Sequence, residues 1–162
     1  MDTVLLIDSC TDLPASYVEE NGLPFVSLVC NFKGQEIKDD FGNSLSYDDF
    51  YAAVRNGEMP STSQVNVYDY AEMFRKYVQA GKAVIYIGFS SALSGSFNSA
   101  KLARDMVCEE HKDADITVID SKCASLGEGL LVHYANEMLK KGATKDEVVS
   151  WIEDNKLRLN HW

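Results

Sequence analysis

Apolar and polar positions fall into blocks of two lengths along this chain. Residues 4–7 (VLLI), 84–87 (VIYI) and 116–119 (ITVI) are short runs rich in aliphatic residues, ending in Asp8-Ser9, Gly88 and Asp120-Ser121. Such runs suit strands buried on both faces of a parallel sheet. Residues 23–32 (LPFVSLVCNF) predict a further strand, second in chain order, and residues 31–40 a turn with a polar extension. Between them lie segments of helical spacing. Pro14 opens a short helix through Glu20, stopped by Asn21-Gly22. Residues 46–56 begin with Ser46 and Asp49, a near match to a capping box, and put Phe50, Ala53 and Val54 on one face before Gly57. EMPSTSQVN at 58–66 reads as a loop, followed by a helix over 67–79 that repeats Tyr70, Ala71, Phe74, Tyr77 and Val78 and closes at Gly81. Helices are also predicted over 93–110, 125–140 and 145–157.

Four strands alternating with helices predict an α/β fold with a mostly parallel sheet. A length of 162 residues with 46% hydrophobic content suits one compact domain. The chain closes on KLRLNHW without a polar tail, and the indole of Trp162 reads as part of a polypeptide that is truncated or continues.

Charge narrows the partners. The formal net charge is −10, from 25 acidic and 15 basic residues, which disfavours nucleic acid and anionic membrane surfaces. The four cysteines, Cys10, Cys30, Cys108 and Cys123, form no C-x-x-C pair and read as free buried thiols of a reduced, cytoplasmic protein, with no metal or cofactor implied. The amino terminus has no signal-peptide pattern, and no run reaches the roughly 18 apolar residues of a membrane span.

Three strand ends carry hydroxyls: IDSC at Ser9, IGFSSALSGS at Ser90–Ser96, and IDSKCAS at Ser121 and Ser125. In a parallel sheet these ends share one edge, so the loops converge. Any one Ser or Asp serves as a cap or turn former, but three together suggest a site. Gly88-Phe89-Ser90-Ser91-Ala92 nearly matches the nucleophile elbow G-x-S-x-G, which raises a serine hydrolase with Ser90 as nucleophile. Ala92 replaces the second glycine, Ser94-Gly95 adds loop before the helix, and only His111, His133 and His161 are available as a base. The same loop has neither a Walker lysine nor G-x-G-x-x-G spacing. An anion site fits better: Ser94, Gly95 and Ser96 at a helix start offer hydroxyls and N–H groups to an oxyanion, and Ser61-Thr62-Ser63-Gln64 also precedes a helix. A carboxylate held by neutral donors beside an apolar pocket needs no net positive charge.

IDSCTDLP at 7–14, MPSTSQVN at 59–66, GFSSALSGSFNSA at 88–100 and DSKCASLGEG at 120–129, in this order, resemble the amino-terminal part of the DegV family, bacterial fatty-acid-binding proteins. The resemblance spans nearly the whole chain. It implies a three-layer α/β/α domain over 1–162 with four parallel strands in the order 2-1-3-4, and a second domain absent from this chain. It implies a non-enzymatic protein that holds a long-chain fatty acid between its domains and presents the carboxylate to a fatty acid kinase, which makes an acyl phosphate for phospholipid synthesis. Mapped onto this sequence, the headgroup ligands are Thr62 and Ser94, with Ser63, Gly95 and Ser96 as supporting donors. The chain departs from the family pattern in three ways. Ser61 precedes Thr62, Val65 and Asn66 stand where proline and serine are common, and Cys10 stands where threonine is common. The second departure predicts a less rigid loop. Ser9 and Ser125 are expected to shape the neighbouring turns.

Overall fold

The computed structural model describes residues 2–159; His161 and Trp162 lie outside them. Its main sheet has four parallel strands in the spatial order β2-β1-β6-β7: β1 (Thr3–Asp8), β2 (Phe25–Val26), β6 (Ala83–Gly88) and β7 (Ile116–Asp120). Counted along the chain as parallel strands only, this is the expected 2-1-3-4. Registers such as Leu5 opposite Ile85 and Gly88 opposite Asp120 bring the polar strand ends to one edge.

Period-two alternation decides which side each residue serves. Leu5, Ile7, Ile85, Ile87 and Ile119 pack with residues of α1 (Ala15–Glu20), α5 (Leu126–Lys140) and α6 (Lys145–Asn155). Leu6, Val84 and Tyr86 pack with α3 (Val67–Gln79) and α4 (Ser96–Glu110). Both faces are covered, which gives three layers and explains why the strand runs show no polar alternation.

Caps set the helix limits. Ser46 accepts a hydrogen bond from the Asp49 amide at the start of α2 (Tyr47–Arg55), and Thr144 with Glu147 forms a complete capping box on α6. Asn66 accepts from the Asp69 amide and so caps α3, while Val65 is buried in the core beside it. The two departures from the family pattern therefore pin this segment instead of loosening it. Gly129 lies where α5 meets the turn after β1: a Cβ there would sit 2.5 Å from the Thr11 carbonyl oxygen, so only glycine permits this approach.

Four sequence expectations are corrected. The apolar run at 23–32 is not one strand, because the chain leaves the main sheet after Val26 and starts β3 (Val29–Phe32) in a second sheet. The Leu28 amide donates to Ser9 Oγ at 3.1 Å at that switch. The polar extension is β4 (Gln35–Lys38), antiparallel to β3, and the segment read as a loop holds β5 (Ser61–Ser63) on the other side of β3. The helix expected from Leu93 begins at Ser96, since Leu93 and Ser94 donate their amides back to the Ser90 carbonyl in a preceding turn. Of the four free cysteines only Cys123 is fully buried; the others are half-buried.

Candidate functional site

The loop after β6 is held by the ends of both neighbouring strands. Phe89 N donates to Asp8 Oδ2 at 2.9 Å, Ser90 N to the Cys123 carbonyl at 3.1 Å, and Ser91 N to Asp120 Oδ1 at 3.1 Å. Three consecutive amides thus find partners below the sheet edge, which places the following turn with little freedom. Burial would raise the Asp120 carboxyl, but the Lys122 ammonium at 2.6 Å, Ser91 and two amides hold it below its usual range.

Ser94 and Ser96 face each other across the start of α4. Ser94 Oγ donates to Ser96 Oγ at 3.0 Å, and Ser96 Oγ accepts from Val65 N at 3.1 Å. Ser96 is buried and its hydroxyl is occupied as a tie between the two loops, whereas Ser94 is half-buried and Gly95 is exposed. A side chain at Gly95 would have to displace Gln64, which sits against it. These contacts bring segments 61–66 and 94–96 side by side. The first-turn amides of α4 lack helical acceptors, as at any helix start.

Thr62 occupies the centre of the exposed strand β5, opposite Cys30. Its hydroxyl forms no hydrogen bond among the described residues, while the next hydroxyl, on Ser63, accepts from Asn31 Nδ2 at 3.3 Å. Thr62 also lines a cavity of about 230 Å³ between the small sheet and α2, walled by Leu28, Ile37, Leu45, Phe50 and Cys10. The lining is largely hydrocarbon and meets the 61–66 segment at Thr62. Asp39 stands on its wall with a carboxyl raised by burial, against which Ser9 and the Phe41 amide act.

Burial, then the Asp8 carboxylate, push the Cys10 thiol far above its ordinary value, and burial does the same more weakly for Cys30. Both stay thiols at neutral pH and fit walls better than nucleophiles. Ser90 is buried, and its hydroxyl accepts from the Ala92 amide at 3.3 Å. His133 Nδ1 lies 3.0 Å from the Tyr17 hydroxyl on the helical layer, and His111 ends α4, so among the described residues no histidine bonds Ser90. Ser9 and Ser125 shape turns as expected: Ser9 accepts from Leu28 N, and Ser125 Oγ donates to Asp12. Among the described residues no group of three His, Cys, Asp or Glu side chains is placed to hold a metal ion, and no helix is long and apolar enough to cross a membrane.

The cavity and the small antiparallel sheet were not legible in the sequence, because neither strand-edge serines nor a four-residue polar strand carries a hydrophobic period. Nor was the buried cluster of Asp8, Tyr86, Tyr70 and Glu128 beneath the loop. The signal available was an acid at the end of an apolar strand run.

The family model described as "Uncharacterised protein, DegV family" matches residues 2–162. The chain belongs to the DegV family. A DegV domain-containing protein of Clostridium perfringens is 44% identical over 159 residues, which is 98% of this chain and 55% of that relative. A stearic acid-binding protein of Eubacterium ventriosum superposes with a TM-score of 0.85 at 31% identity, over 94% of this chain and 52% of the other. The Fatty Acid Kinase (Fak) B3 protein of Streptococcus pneumoniae, loaded with linoleic acid, superposes with a TM-score of 0.77 at 29% identity, over 96% of this chain and 54% of the other. The chain spans about half the length of the curated relatives it matches. Its DegV fold therefore corresponds to one part of those longer proteins.

Proposed function

We propose that this chain is the headgroup-binding, amino-terminal part of a DegV fatty acid carrier and is not an enzyme. In this reading Thr62 and Ser94, whose hydroxyl turns from Ser96 to the ligand, donate to the carboxylate of a long-chain fatty acid, and the first-turn amides of α4 add a positive field. Gly95 lets the headgroup come close to the backbone. Ser96 supports by tying the two loops together, and Ser63 supports from β5. The acyl chain starts down the apolar cavity, and a second domain, which the longer relatives have length for, completes its enclosure.

One observation carries the reading: two hydroxyl-bearing segments are tied by the Val65–Ser96 hydrogen bond, one of them lines an apolar cavity through Thr62, and among the described residues no histidine bonds Ser90. Neutral donors hold a carboxylate without attacking it. The relatives' fatty acid ligands support the chemical class. Presentation of the bound carboxylate to a cytoplasmic fatty acid kinase, for acyl phosphate formation and phospholipid synthesis, extends the reading through the Fak B3 likeness.

The test is to denature the purified protein, extract it with organic solvent and identify what is released. An intact long-chain fatty acid at near-equal stoichiometry is expected. Absence of lipid, together with ester turnover abolished by Ser90→Ala, would replace the carrier with a hydrolase. Binding of a kinase partner with and without lipid, measured by pull-down, separates presentation from simple docking.

A further inference from the structure

Two fully buried carboxyl groups meet beneath the hydroxyl loop, and their surroundings are opposite. Asp8, at the end of β1, accepts from Cys10 N at 2.9 Å through Oδ1 and from the Tyr86 hydroxyl and Phe89 N, both at 2.9 Å, through Oδ2. Because the Tyr86 hydroxyl donates to Asp8, the Tyr70 hydroxyl 2.7 Å away must donate to Tyr86, so a directed chain ends on Asp8. Glu128, in the first turn of α5, finds no donor for either carboxyl oxygen among the described residues. A carboxylate with three donors holds its charge in a protein interior; one with none does not.

We infer that Glu128 carries a proton and donates it to Asp8, and that this acid–carboxylate pair is the positioning device that fixes the Phe89 and Cys10 amides and hence both turns of the site. As a carboxylate Glu128 is stranded; as an acid it becomes the donor that faces Asp8, and the cluster closes. Two further features agree. Gly129, pressed against the Thr11 carbonyl, keeps α5 close to the turn after β1 and gives Glu128 no route to water. The titratable groups around the pair are Cys10 and Asp12 beyond β1, Tyr86 on β6, Tyr70 on α3 and Cys123 after β7, all acids that resist a second negative charge. The amino end of α5 favours an anion, but this is small beside complete burial. Burial first, then the Asp8 charge, raises the Glu128 carboxyl well above its ordinary 4.5.

Neither the pair nor its test depends on the identity of any ligand. A group raised in the folded state contributes stability fully present below its unfolded value and lost as pH rises through the folded one. From pH 4.5 upward the wild type should therefore lose up to about tenfold in folding constant per pH unit, by denaturant unfolding, relative to Glu128→Gln. Infrared difference spectra of wild type against Glu128→Gln at neutral pH should contain a protonated carboxyl band. In the wild type alone, the Phe89 and Cys10 amide resonances should shift as that band disappears at higher pH. Parallel stability curves overturn the inference, as does a wild-type spectrum with no protonated carboxyl at neutral pH, a result that holds even if the variant does not fold. Amide resonances that ignore the Glu128 titration overturn the positioning role.

Discussion

The two hydroxyl segments of the site are built in opposite ways. The loop after β6 hangs from the ends of β1 and β7 by three consecutive amides, with buried Asp8 and largely buried Asp120 as acceptors. The segment around Thr62 is a three-residue strand on the rim of a small sheet, exposed at all three positions. Its ties to the first segment run through Ser96 and Gln64. The difference teaches where rigidity is needed. Ser94 sits on a platform held from below, while Thr62 sits on an exposed edge strand of the small sheet.

Removing the platform should have the largest effect. Asp8→Ala strands the Tyr86 hydroxyl and two amides in the interior, and denaturant unfolding should report a loss of about 3 kcal/mol or more. A loss below about 1 kcal/mol would mean the loop is held some other way. Next comes Ser94→Ala, expected to weaken fatty acid binding by about 1–3 kcal/mol in a calorimetric titration, with folding little changed. Unchanged affinity would remove Ser94 from the headgroup assignment. Ser96→Ala cuts the tie between the segments and leaves the buried Val65 amide without an acceptor, so a stability loss of about 1–2 kcal/mol is expected. The smallest change in folding belongs to Thr62→Val, which keeps the β-branched shape on an exposed strand. Its stability should stay within about 0.5 kcal/mol while ligand affinity falls. Equal stability costs for Thr62→Val and Ser96→Ala would erase the contrast between the two segments.

How legible each region was follows from its packing. The main sheet announced itself because strands covered on both faces must be apolar throughout, as VLLI and AVIYIG are. Its strand order and the convergence of the polar ends followed from the α/β pattern and the family motifs. The small sheet stayed hidden because β4 and β5 read QEIK and STS, whose neighbours are water and a cavity wall. The break at Ser27-Leu28 was masked by apolar residues on both sides, which serve different sheets. The serine-rich motif marked the site, but its serines divide by role: Ser90 and Ser96 are buried and bonded inward, Ser91 is exposed and accepts from Lys122, and Ser94 is half-buried beside Gly95. Glu128 was unreadable as a buried acid, since it follows a helix start where glutamate is ordinarily a solvated cap.

Strand β4 has a consequence for how the protein keeps its own company. It is one of the two edge strands of the small sheet, and its free edge invites addition of a strand from another molecule. Ile37 turns toward the cavity while Gln35, Glu36 and Lys38 stand in solvent, so a neighbour docking along that edge would meet fixed charges of both signs. The strand that lends Ile37 and Lys38 to an apolar cavity also discourages the sheet from growing into an aggregate.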